Sequence, residues 1–171
     1  SFSSNSSWPY DWSDYCLPDI FQPQTTAELQ TAVDLWVSDN ETALATYGEI
    51  NTWDVSLITI MSELFYGKDT FNDDLSNWDV SGVTNMYRMF KVASSFNQNL
   101  SSWDVSSVTN MEGMFDSATS FNGDISTWDV SSVTTFSNMF VLAASFNGDI
   151  SNWNVSNVVN MESMYYHAAS F

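Results

Sequence analysis

Basic residues are almost missing: 3 Lys and Arg stand against 21 Asp and Glu, a formal charge of −18. A surface this acidic repels phosphate backbones and anionic lipids, which argues against nucleic acid as a partner. Cysteine occurs once, at Cys16, so no intrachain disulfide framework braces the fold. Long apolar runs are lacking as well. Leu57-Ile58-Thr59-Ile60-Met61 is about the longest, far short of the ~20 residues that span a bilayer, and no membrane span is expected. The single histidine, His167, has no partnered nucleophile, and Lys68, Arg88 and Lys91 are too few for an oxyanion or phosphate clamp. Catalysis is therefore not expected. The chain begins at Ser1 without a basic, then apolar, leader: either a signal peptide has been removed or the sequence is a fragment.

What is abundant is aromatic and apolar. Aromatics make up 16% and AVILMFWYC 44% of the chain, which excludes intrinsic disorder. These residues recur with a strict period. Trp53, Trp78, Trp103, Trp128 and Trp153 are spaced by 25 residues, and so are Phe71, Phe96, Phe121, Phe146 and Phe171. Val55, Val80, Val105, Val130 and Val155 follow two residues after each Trp, with Ser56, Ser81, Ser106, Ser131 and Ser156 next. Such a period marks one supersecondary unit stacked repeatedly.

In the unit FNGDISTWDVSSVTTFSNMFVLAAS, the spacing of Ile125, Trp128, Val130 and Val133 is that of leucine-rich repeats. Alternation through Trp128-Asp129-Val130-Ser131 predicts a strand with one buried face. Met111, Met114 and Phe115 fall at i, i+3 and i+4, which predicts a short helix behind it, with Thr84, Thr109 and Thr134 as N-caps. The expected fold is an α/β repeat solenoid, leucine-rich-repeat-like, with one short parallel strand plus a short helix or helical turn per unit. Stacking at ~4.8 Å would pair the strands into a parallel sheet and set Trp on Trp and Phe on Phe.

Residues 1–24 read as an irregular extension, 25–47 as a helical N-terminal cap and 48–171 as five repeats. In the cap, Thr25 and Glu28 suggest a capping box, Leu29, Ala32, Val33 and Trp36 form an apolar stripe, and Asn40 is placed as cap of a second helix ended by Gly48.

The unit FNxDISxWDVSxVTxMxxMF, preceded by AELQTAVDLWVSDNETALATYGEINTWDVS, resembles the BspA-like surface-protein family over residues 25–171. The resemblance implies an extracellular leucine-rich-like array in a family whose members are mostly assigned to adhesion or remain uncharacterised, and it brings no catalytic residues.

With Trp and Val inward, Asp54, Asp79, Asp104 and Asp129, and after them Ser81, Ser106 and Ser131, form an outward grid, a candidate binding face. A column of stacked carboxylates is repulsive and needs an offset. Three readings stay open: hydrogen bonds from neighbouring Ser and backbone groups, a Ca²⁺ site at Asp79, Asp104 and Asp129, or a flat polar face for sugar or ice. No cofactor is required on the first. The Asn column, Asn72, Asn97, Asn122 and Asn147, is expected to bond to itself and to backbone. Sequons at Asn5, Asn40, Asn99 and Asn154 are glycosylation candidates and point to a secreted, extracellular or cell-surface glycoprotein.

The ends carry a further expectation. An array stopping at Phe171 exposes Trp153 and Met164 on its last unit, and the N-terminal SFSSNSSW, with Phe2 and Trp8, resembles the start of a repeat. Head-to-tail assembly would join these ends, with Cys16 either a covalent reinforcement or a free thiol; truncation of a longer array explains the C-terminal end equally well. The expected function is an extracellular structural or adhesive protein whose copies associate head-to-tail into a filament or surface fibre. Its partners are then itself, other surface proteins or glycans. The alternative is a monomeric recognition module binding glycan, protein or Ca²⁺ through the strand face.

Overall fold

Thr25 converts an extended entry into a helix: its hydroxyl accepts the Glu28 N–H at 3.2 Å, and the Glu28 carboxylate accepts the Gln24 N–H at 2.7 Å. Helix α1 follows over Thr26–Ser38 and buries Leu29, Ala32, Val33 and Trp36. Asp39, not Asn40, caps α2 (Asn40–Tyr47), its carboxylate accepting the Thr42 N–H. Gly48, at φ +73°, ends that helix where a side chain would be strained. The computed structural model describes residues 20–171.

Beyond these helices the described residues contain a short 3-10 turn, Ile50–Thr52, and no further helix or strand. The expected α/β solenoid does not form. Only isolated parallel bridges survive of the expected sheet, linking Ile60, Asn85, Asn110, Thr135 and Asn160 in series. Local hydrogen bonds explain the loss. The side chain after each repeat Trp, an Asp on four rungs and Asn154 on the fifth, captures the Ser two residues on, as at Asp104 and Ser106, and the turn that follows closes from the Val108 N–H to the Val105 carbonyl. Extension stops after two or three residues, too short for a ladder.

The expected helix is replaced by overlapping turns. Leu64, Tyr66 and Lys68 donate back to the carbonyls three residues earlier, and the same pattern returns in the other units. Helical periodicity of Met111, Met114 and Phe115 is satisfied because these turns also bring i, i+3 and i+4 to one side, and all three are buried. What prevents a continuous helix is a left-handed residue at two fixed positions per unit: Glu63 and Gly67, Arg88 and Val92, Gly113 and Ser117, Asn138 and Leu142, Ser163 and His167. Only two of these ten are glycine. Thr84, Thr109 and Thr134 are not caps; their hydroxyls donate to the carbonyl of the Thr one unit earlier, at 3.0–3.2 Å.

Between the turn-closing amides, alternate N–H groups point along the stack. Met61, Glu63, Phe65 and Gly67 donate to Asn85, Tyr87, Met89 and Lys91 of the next rung at 2.8–2.9 Å, and all four junctions repeat this arrangement. Side chains repeat with it. Phe90, Phe115, Phe140 and Tyr165 form one ring column with centroids 5.6–5.7 Å apart, and Phe71, Phe96, Phe121, Phe146 and Phe171 form a second at 5.7–6.1 Å. Trp78, Trp103, Trp128 and Trp153 each donate the indole N–H to a carbonyl 28 residues earlier, so burial leaves no indole unsatisfied.

Phe115→Ala is expected to lower the unfolding free energy by about 3–5 kcal/mol, because a buried ring packed against four others leaves a cavity. Val92→Gly, which relieves a β-branched residue at φ +61°, is expected to stabilise by about 1 kcal/mol. Urea titration of both variants against the parent checks the opposite signs.

Candidate functional site

The outer face is built from turns closed by acidic side chains. Asp54, Asp79 and Asp104 each accept the N–H and the hydroxyl of the Ser two residues later, at 3.0–3.1 Å and 2.6 Å. Asp129 accepts the Ser131 N–H at 3.0 Å. A second column does the same: Asp74, Asp124 and Asp149 accept from the backbone N–H of Ser76, Ser126 and Ser151. Asp79, Asp104 and Asp129 are exposed, as is Ser81, while Ser106 and Ser131 are half-buried. Of the three sequence readings, the geometry realises the hydrogen-bonded one. Among the described residues no three His, Cys, Asp or Glu side chains gather to hold a metal ion, so Asp79, Asp104 and Asp129 stand one to a rung.

These bonds tune the acids. The Ser hydroxyl first, then the Ser amide, holds Asp54, Asp104 and Asp129 below the ordinary carboxylate range. At Asp124 and Asp149 the amide contributes most. At Asp104 the charge of Asp129 pushes the other way, more weakly. The few cations do not neutralise the columns: Lys68 pairs with Asp34 and Lys91 with Asp116, both at 2.6 Å. Arg88 lies 3.8 Å from Glu63 and over the Tyr87 ring. Beside the acids runs the Asn column, in which the side-chain oxygens of Asn72, Asn97 and Asn122 each accept the backbone N–H of the next Asn at 2.8 Å.

The two ends differ. At the first rung, Thr26 of α1 donates its hydroxyl to the Ile60 carbonyl at 2.9 Å, and Gln30 donates to the Leu64 carbonyl at 3.1 Å. Trp36 meets Trp53 edge-on, 5.8 Å between centroids, and Phe21 packs on Tyr47 and Trp53. At the fifth rung nothing in the described residues does this. Val155 is 40% exposed where Val55, Val80, Val105 and Val130 are at most 1%. An apolar groove of about 320 Å³ opens there among Ile150, Trp153, Val155, Met161, Met164 and Tyr165. Trp153 and Met164 are nonetheless buried, and Phe171 stacks on Phe146 and Tyr165.

Of the glycosylation candidates, Asn40, Asn99 and Asn154 are exposed. Asn5, and the assembly residues Phe2, Trp8 and Cys16, lie outside the described residues. Sequence reasoning missed the amide ladder that joins one rung to the next. No side-chain pattern encodes it, and the left-handed positions that create it are mostly not glycine.

Acid is expected to erase the serine effect. Because the folded-state carboxylates titrate below their unfolded value of about 3.9, their contribution is full above that pH and is lost as pH falls through the lowered values. The double variant Ser106→Ala/Ser131→Ala should therefore melt below the parent at pH 7, with the gap narrowing as pH falls below about 3.9. A gap unchanged between these pH values would contradict this account of the turns.

No curated protein and no solved structure matches the chain. One family model does, described as "Mycoplasma protein of unknown function, DUF285", over residues 33–133 and again over 100–171. That coverage takes in all five rungs and much of the helical pair, and the chain belongs to this family.

Proposed function

We propose that the chain is a non-enzymatic structural or adhesive element displayed outside the cell, acting through its exterior and its ends. The observation that carries this reading is how the side chains are used. Aromatic, Val and Met side chains fill the interior, and the recurring acids are engaged by the Ser residues of their own turns. This leaves a regular anionic exterior, which favours neither nucleic acid nor an anionic lipid surface. The exposed sequons and the resemblance to BspA-like surface proteins support an extracellular or cell-surface place. Among the described residues no helix is long and apolar enough to cross a membrane.

End-to-end association of copies is the assembly this reading favours. Contact through the first rung is disfavoured, because Thr26 and Gln30 of α1 already donate to two of its carbonyls, those of Ile60 and Leu64.

Intact source cells treated with an impermeant label or an external protease should show the protein labelled or shed. Labelling only after lysis would overturn the surface role. The acidic face is proposed to need no bound cation. Melting temperature should therefore be the same in CaCl₂ as in MgCl₂ at equal ionic strength, and a rise specific to Ca²⁺ would restore the cation reading.

A further inference from the structure

In the second acid column Asp74, Asn99, Asp124 and Asp149 each accept the N–H of the Ser two residues on. Glu49 holds the first place in that column, one repeat before Asp74, but the residue two on is Asn51. Asn51 turns to the next rung instead. Its amide donates to Asp74 at 2.8 Å, and its oxygen accepts the Asn77 N–H at 3.0 Å. Glu49 is therefore the one acid of this column that no turn uses. Its carboxylate is exposed and receives no hydrogen bond among the described residues.

Asp73 departs from the repeat as well, since Gln98, Gly123 and Gly148 take its place on later rungs. It serves the helical cap: Oδ2 accepts the Trp36 indole N–H at 2.8 Å, while Oδ1 has no donor among the described residues. Glu49 and Asp73 line one cleft of about 350 Å³, between the two helices and the first rung. That volume is in the range of small-ligand sites. The rest of the wall is largely hydrocarbon. Leu44 of α2 is 42% exposed there and Val37 of α1 is half-buried, with Trp36 and Phe71 beneath. The indole bond accounts for Asp73, but nothing in the fold accounts for Glu49.

No cation of the chain answers these carboxylates. Lys68, Lys91 and Arg88 are engaged by Asp34, Asp116 and Glu63. Among the described residues no third metal-ligating side chain joins the pair, so a metal ion finds too few ligands here. Free carboxylate oxygens above an apolar wall suit a different ligand, a positive head on a hydrocarbon stem. The head takes charge-assisted hydrogen bonds and the stem lies on the apolar side chains.

We propose that this cleft binds an organic cation, a primary ammonium group on a short alkyl stem, with the head between Glu49 and Asp73 and the stem against Leu44 and Val37. A free diamine and the lysine side chain of another protein both carry that group. The site is independent of end-to-end association.

Calorimetric titration of the full chain tests this, in about 0.15 M salt so that the outer acid columns are screened. The probes are cadaverine, Nα-acetyl-lysine methylamide and, as neutral control, n-pentanol. At least one amine should saturate at one site per chain and shift the Trp36 indole N–H resonance, while n-pentanol does neither. Glu49→Gln should weaken binding at least about tenfold, the loss of one charge-assisted hydrogen bond, with the melting temperature of the parent retained. Asp73→Asn, which keeps an acceptor for the indole, should weaken it similarly. Asp124→Asn removes the same charge from the outer face and reproduces the turn of Asn99, so affinity should change less than about twofold. Binding of the lysine mimic alone would support the site and name a partner protein as the source. Binding of the diamine alone would support it with a free amine as the source. Failure of both amines, equal binding of n-pentanol, or an unshifted Trp36 indole would each overturn the proposal. So would an Asp124→Asn loss as large as that of Glu49→Gln, because the attraction would then be that of the diffuse acidic field.

Discussion

The array depends on one interaction, the set of backbone amides that donate from each rung to the next. A peptide N–H that closed a helix would be satisfied within its own unit and would leave neighbouring units joined by side chains alone. Here two left-handed residues, four positions apart, break that closure. They divide the amides into those that finish a turn and those that reach forward. The reach fixes the register, and register puts Phe over Phe and Trp over Trp. Burial of the rings then holds the backbone at angles that Val92 or Leu142 would not choose alone. Neither contribution suffices separately: the ladder without the rings would be hydrated, and the rings without the ladder would have no fixed spacing.

That dependence explains what the sequence revealed. The 25-residue period, the inward Trp and Val, the apolar stripe of α1 and the Thr25–Glu28 cap are written in side-chain identity and are found where they were read. The secondary structure was misread because its signals are shared. Alternation at Trp128 and Val130 looks the same in a strand and in three extended residues halted by an Asp–Ser turn. Met111, Met114 and Phe115 look the same on a helix and on successive turns. The choice between them lies in backbone angles at positions such as Arg88 and Ser163, whose residue types announce nothing.

The outer face shows a similar trade between proximity and charge. Stacking acids on successive rungs is unfavourable, yet the column persists because each carboxylate is first a local acceptor and only then a charge. The Ser two residues on is as regular as the Asp, and the pair forms one structural device. A face of this kind presents repeated negative charge without a gathered coordination site. Ions and partners meet it as a diffuse field, screened within about 8 Å at physiological ionic strength.

Because every column is counted in units of 25 residues, the molecule has an arithmetic of tolerated change. Removing or duplicating one whole unit renews the same junction and alters only length. Inserting a single residue within a rung shifts every later Trp, Phe and Asp against its neighbour and disrupts the ladder at that point. Gain or loss of full units is thus structurally almost silent, whereas a smaller indel breaks the junction at which it falls. Such an array can lengthen or shorten in evolution without redesigning its interior, so its reach is the property most readily varied.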